Sequence, residues 1–262
     1  MKQLLRNECA RILRVKEFWI ILILGCGISI WHFVKNVYHI WPMNPALPTN
    51  VYTSWIGGKS YPMQTYWYYM IFPLLAVMPF AGTFYDDLRS GYIKSVLLRC
   101  NRKTYFSGKG LAVFLSGGVS VTVPLILNFV LTATQMPALK PDPYAAFGPL
   151  TNYFGCTLYY LHPLIYTLTY LLFDFCMGGI LAVGAMLLCY RVNNKFVALL
   201  IPYALYYALY CLGGIFNTNE FTPNLFLIPG FGIEKVGSII LCIAVTVLVM
   251  ILYIWKGKQY EA

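Results

Sequence analysis

The sequence predicts an all-α integral membrane protein: a single transmembrane domain, residues 1–262, with six spanning helices and both termini in the cytoplasm. Three observations carry that reading. Of 262 residues, 59% are hydrophobic and only 11% charged, which is more apolar surface than a soluble chain of this size can hide. Several apolar runs approach the roughly 20 helical residues that cross a hydrocarbon core, and they lack the period-two alternation of barrel strands. Finally, 15 of the 19 basic residues fall in four alternate segments, 1–17, 85–110, 191–195 and 256–262, as the positive-inside rule requires of cytoplasmic loops.

Residues 1–17, MKQLLRNECARILRVKE, are patterned as an amphipathic helix. Leu5, Cys9 and Ile12 form one face with Leu4 and Leu13 beside them, while Lys2, Arg6, Arg11, Arg14 and Lys16 crowd the rest. Such a helix lies in the inner interface with its basic residues toward headgroups, as a lever on the first span or as a plain anchor. Spans are expected at about 18–34, 67–84, 111–132, 163–190, 196–215 and 236–255. Ile23-Leu24-Gly25-Cys26 faintly resembles a lipoprotein cleavage site. The apolar run continues past it through Ile28, Ile30, Trp31 and Phe33, as in an uncleaved span.

The outer loop after the first span, with Trp41, Tyr52, Trp55 and Tyr61, is expected to pack at the interface as an aromatic belt. Pro73 and Pro79 in the second span each remove a backbone hydrogen bond and predict a bent helix. Then follows FYDDLRSGYIKSVLLRCNRKTYFSGK, 26 residues with two Asp, three Arg and three Lys. Asp86 and Asp87 are placed to cap a short cytoplasmic helix, in which Tyr92, Val96 and Arg99 share one side. A mere connection would need only a handful of residues. This insert instead predicts a docking surface for a cytoplasmic partner.

The fourth span carries Asp174. A charge at mid-membrane costs at least about 2.5 kcal/mol on insertion scales, so Asp174 marks either a functional site or a structural hydrogen bond to Thr167 or a neighbour's tyrosine. Gly178, Gly179, Ala182, Gly184 and Ala185 permit close helix packing. In the fifth span Tyr203, Tyr206, Tyr207 and Tyr210 form a stripe of phenols at helical spacing, lining an amphipathic cavity or packing a subunit interface. The apolar segment 221–233 is too short and broken to cross and is expected to re-enter the membrane from outside.

Catalytic patterns are missing. There is no H-E-x-x-H, G-x-S-x-G or paired-carboxylate motif, and Gly57-Gly58-Lys59-Ser60 lacks the phosphate-loop glycine at position 53, which is Thr53. His32, His39 and His162 are isolated and expected at the outer interface. Eight scattered cysteines without a C-x-x-C pair predict neither a metal site nor a disulfide framework. The net charge of +10 reflects the positive-inside bias and affinity for anionic lipid headgroups, not nucleic-acid binding.

The layout resembles the permease subunit of type-2 ATP-binding-cassette (ABC) exporters of bacteria. The resemblance is carried by the Pro-containing second span running into Asp86-Asp87-x-x-x-Gly91-x-Ile93, then Arg102-Lys103-x-Tyr105 and Lys109. It continues in the Phe- and Gly-rich fourth span, the loop Arg191-Val192-Asn193-Asn194-Lys195 with Pro202, and the apolar insert before the last span. It implies a multi-pass protein of the bacterial cytoplasmic membrane, with a coupling helix between spans two and three that rests on an ATPase. Asp87, Arg89, Tyr92 and Arg99 are the residues expected to touch it. The chain itself has no Walker motif and no cofactor. ATP and Mg would sit on two separate ATPase subunits, paired with two permeases as a homodimer or with a sister permease.

Asp174, Tyr203, Tyr206, Tyr207 and Tyr210 are candidates for the translocation path, and a small amphipathic peptide antibiotic or hydrophobic drug is the expected substrate. Two alternatives stand beside this reading. One is a secondary transporter that works without ATP, with Asp174 as its ion or proton relay; the other is an immunity protein that binds a toxin without moving it.

Overall fold

The computed structural model describes residues 2–38, 50–58, 62–98, 100–141, 149, 154–216, 223–229, 248–249, 251–252 and 255, and over these it is helical without strands. The elements in order are α1 (Lys2–Ile12), α2 (Lys16–His32) with a π-helical extension (Phe33–Tyr38), α3 (Val51–Ser54), α4 (Met63–Val77), α5 (Gly82–Arg89) and α6 (Tyr92–Leu97). Then come α7 (Arg102–Gln135), α8 (Cys156–Leu161), α9 (Pro163–Leu188), α10 (Lys195–Phe216) and α11 (Pro223–Phe226). Among the described residues, five segments are long and apolar enough to cross a membrane: Lys16–Tyr38, Met63–Arg89, Arg102–Gln135, Pro163–Leu188 and Lys195–Ile215. The expected sixth span, 236–255, lies mostly outside the described residues.

The third span is longer as a helix than as an apolar run. Asn101 caps its start by accepting from the Lys103 amide, so Arg102, Lys103 and Lys109 belong to the first turns of α7 rather than to a separate loop. Helix α7 packs face to face on α9 through glycines. A Cβ at Gly117 would fall 2.7 Å from the Ala182 Cβ and 2.8 Å from the Gly178 carbonyl oxygen. A Cβ at Gly178 would meet the Gly117 carbonyl at 2.9 Å. Close approach of this kind is what small residues provide in membrane helices. Gly184, expected to share in it, has open space around it.

The two prolines of the second span act differently. Pro73 stays inside α4, whereas Pro79 sits in the turn that separates α4 from α5. Each lacks the amide that would bond the carbonyl four residues back. The carbonyl orphaned by Pro73 is Tyr69, and it accepts from the Tyr206 hydroxyl of α10 at 2.8 Å. The one orphaned by Pro79 is Leu75, and it accepts from the Ser120 hydroxyl of α7 at 2.7 Å. Neighbouring helices thus supply what the prolines remove.

At the end of the bundle away from α1, the segment after the π-helical extension folds inward. Asn50 and Thr53 form reciprocal capping bonds around α3. Trp55 and Tyr52, expected in an interfacial belt, are buried instead, with Trp55 edge-on to Phe129 at 5.6 Å. Asn128 fastens the fold here. Its amide donates to the Ser29 carbonyl at 2.8 Å and lies 3.1 Å from His32 Nδ1, and its oxygen accepts from the Ile56 amide at 2.8 Å. His32 is therefore fully buried, not interfacial. Of the segment 221–233, the described residues 223–229 pack with Phe226, Leu227 and Ile228 buried against Tyr68, Tyr69 and Phe72.

Candidate functional site

The two adjacent aspartates of the charged insert lie in the C-terminal half of α5, not at a helix start; the residue at the cap position before α6 is Gly91, in the left-handed conformation at φ 73°. That conformation costs glycine little and lets the chain turn sharply between α5 and α6. Successive residues on a helix point about 100° apart, and Asp86 and Asp87 accordingly serve different neighbours.

Asp87 faces inward. Arg11 of α1 donates to it with both guanidinium nitrogens, Nη1 to Oδ2 at 2.9 Å and Nη2 to Oδ1 at 2.7 Å. Lys109 of α7 is 2.9 Å from the same Oδ2 and 2.9 Å from Glu8 Oε2. Lys109 is fully buried; its ammonium, which has three protons to donate, also reaches the Thr83 hydroxyl at 3.1 Å and sits 4.5 Å from the Phe80 ring centroid. Glu8, Arg11, Asp87 and Lys109 thus form a neutral group of two acids and two bases joining α1, α5 and α7. The hydrogen bond to Asp87 raises the Arg11 pKa above its ordinary value, against the opposing effect of burial.

Asp86 faces outward and bonds Lys195, at the start of α10, at 2.6 Å. Beside it, Tyr85 donates to the Asn193 carbonyl and Arg89 to the Asn193 side chain. Helix α5 is therefore tied to α1, α7, α10 and the loop before α10.

Among the residues expected at a partner contact, Asp87 is buried within the chain, its side chain 3% exposed. Arg89 and Tyr92 are exposed, with the Arg11 guanidinium 5.4 Å from the Tyr92 ring centroid. Arg99 lies outside the described residues. The amphipathic pattern of α1 holds for Ile12, which is buried, and for the half-buried Leu4 and Leu5, but Leu13 is exposed. The expectation that all its basic residues turn to headgroups fails at Arg11, which points into the bundle. Glu8 and Lys109 are the partners that sequence reasoning did not pair.

The second constellation lies near the middle of α9. Asp174 is fully buried. Its Oδ2 accepts from the Tyr69 hydroxyl at 3.3 Å, and its Oδ1 has no partner among the described residues. Thr167, one of the expected partners, bonds the Pro163 carbonyl instead. Of the four phenols on α10 only Tyr206 is buried and reaches Tyr69. Tyr203 stacks on Tyr207 with ring centroids 6.4 Å apart, Tyr210 lies tilted to Tyr207 at 6.0 Å, and Tyr207 is 44% exposed. The structure thus gathers Asp174, Tyr69 and Tyr206; of the other three, Tyr207 is exposed, Tyr203 and Tyr210 are half-buried, and Tyr210 pairs with Tyr66 of α4. Nothing in the spacing of α4 marked Tyr69, because its role depends on which helix lies opposite. Cys156 and Cys211 are both free thiols, and the described residues contain no group of three His, Cys, Asp or Glu that could hold a metal ion. Compared with known proteins, the chain matches no family model, no curated protein and no solved structure.

Proposed function

We propose that the chain is the permease subunit of an ABC exporter of a bacterial cytoplasmic membrane, with both termini and the α5–α6 insert on the cytoplasmic side. The observation that carries this reading is the rooting of α5. A partner pressing on α6 would meet exposed Arg89, Tyr92, Lys94 and Leu98. The load would pass through Asp87 to α1 and α7, and through Asp86 to α10. In this reading Asp87 transmits force to the bundle, while Arg89, Tyr92 and Arg99 make the contact. Two ATPase subunits would supply ATP and Mg, and a second copy or a sister permease would complete the membrane part. The turn at Pro79 is where the insert can pivot against α4, so closure of the ATPases would rock the helices between inward and outward arrangements. The segment 221–233 would re-enter from outside, and the cargo would be a small amphipathic peptide antibiotic or hydrophobic drug.

The test is a pull-down from native membranes with wild type and a Tyr92→Asp, Arg99→Glu double variant. An ABC ATPase that co-purifies with wild type and is lost from the correctly inserted variant supports the reading. If no ATPase appears with either form after mild cross-linking, the exporter loses its engine. A second reading, transport driven by an ion gradient, is favoured by one observation: a fully buried Asp174 with an oxygen unpartnered among the described residues.

A further inference from the structure

An ionised carboxylate in a dry interior needs a cation or several hydrogen-bond donors. Asp174 has one donor, the Tyr69 hydroxyl at 3.3 Å, and its Oδ1 is buried without a partner among the described residues. The groups that face it from α4 and α10 are Tyr68, Tyr69 and, through Tyr69, Tyr206, all phenols. From α7 the residues 114–125, FLSGGVSVTVPL, contain no titratable side chain. Helices α3 and α8 bring Tyr52 and Tyr159 to the Tyr166–Tyr170 end of α9, and α5 packs beside Tyr190. The buried or half-buried cations of the elements packed on α9 are spoken for: Lys109 is held by Glu8 and Asp87, and Lys195 by Asp86. A bound hard cation is a poor fit as well, since such ions take about six or more oxygen ligands and the Tyr69 carbonyl is occupied by Tyr206.

We propose that Asp174 is a proton-binding site: its carboxyl carries an exchangeable proton in this arrangement and gives it up only when α9 parts from α4 and water enters. The neutral acid removes the need for a counter-cation, and the Tyr69–Tyr206 brace across the Pro73 break keeps water out. Proton binding at this carboxyl rests on neither reading of what drives the transporter.

The test is infrared difference spectroscopy of wild type against Asp174→Asn and Tyr69→Phe, in lipid vesicles at neutral pH. The expected result is a protonated-carboxyl C=O band in wild type that is absent in Asp174→Asn and displaced in Tyr69→Phe. After transfer to D2O the deuterium shift of that band should lag behind the exchange of exposed backbone amides. A wild-type spectrum with only carboxylate bands overturns the site, and a shift as fast as the exchange of exposed amides overturns the gating. Should Asp174→Asn fail to fold, the comparison of wild type with Tyr69→Phe decides alone: a displaced protonated band supports the site, and its absence refutes it. Neither readout depends on an ATPase, so this result is separable from the pull-down.

Discussion

Two buried carboxylates set the two ends of this molecule's chemistry apart. Asp87 accepts from Arg11 and Lys109 and is one corner of a neutral four-residue group. Asp174 is buried as deeply and has, among the described residues, one long hydrogen bond. The first arrangement is complete, so its charges can stay buried in one geometry and hold three helices together. The second is incomplete, and a buried polar group left wanting is where a change of state has something to gain.

The largest test of the comparison is Lys109→Met. Removing one partner of a buried charge group costs about 3–5 kcal/mol, because Glu8 and part of Asp87 are left uncompensated. Reversible unfolding in mixed micelles should show that loss, and adding Glu8→Gln should recover part of it. Full stability in Lys109→Met would mean that the charges are not a structural unit.

Tyr206→Phe should cost less, about 1–3 kcal/mol for a buried carbonyl left unsatisfied. Pro73→Ala supplies the missing backbone amide, so the double variant should lose less than the single Tyr206→Phe. Additive losses would break the link between the proline and the hydroxyl. Asp174→Asn should be smaller still, about 1 kcal/mol or less, since a neutral side chain of the same shape keeps the Tyr69 contact. A loss as large as that of Lys109→Met would show Asp174 to be ionised and paired. The smallest effect is expected at Asp86→Asn, about 0–1 kcal/mol as for other exposed ion pairs, and it should shrink further with added salt.

How much of this was legible depended on whether a property is local. Four of the long apolar helices could be read from hydropathy to within a few residues at most ends, because a long apolar run is a local property of composition. The start of α7 could not, since hydropathy reports where the chain is apolar and Arg102–Lys109 is helical but polar. The glycines of α9 announced close packing, yet Gly117 and Gly118 on the facing helix were not recognised, because a contact needs both sides. Trp55 was misplaced for a related reason. An aromatic near a span end reads as interfacial until Asn50, Asn128 and Phe129 show the chain folding back over the bundle. The pairing of Lys109 with Glu8 joins residues 101 positions apart, and no local pattern records it.

That separation also sets an order of events during synthesis. At roughly 5–20 residues per second, Lys109 emerges about 5–20 s after Glu8. Until then Glu8 lacks the lysine that holds its carboxylate in the folded chain. The newborn chain can shut its four-charge knot only once the start of α7 has emerged. That closure would mark the passage from a chain with separate helices to one whose α1, α5 and α7 are joined.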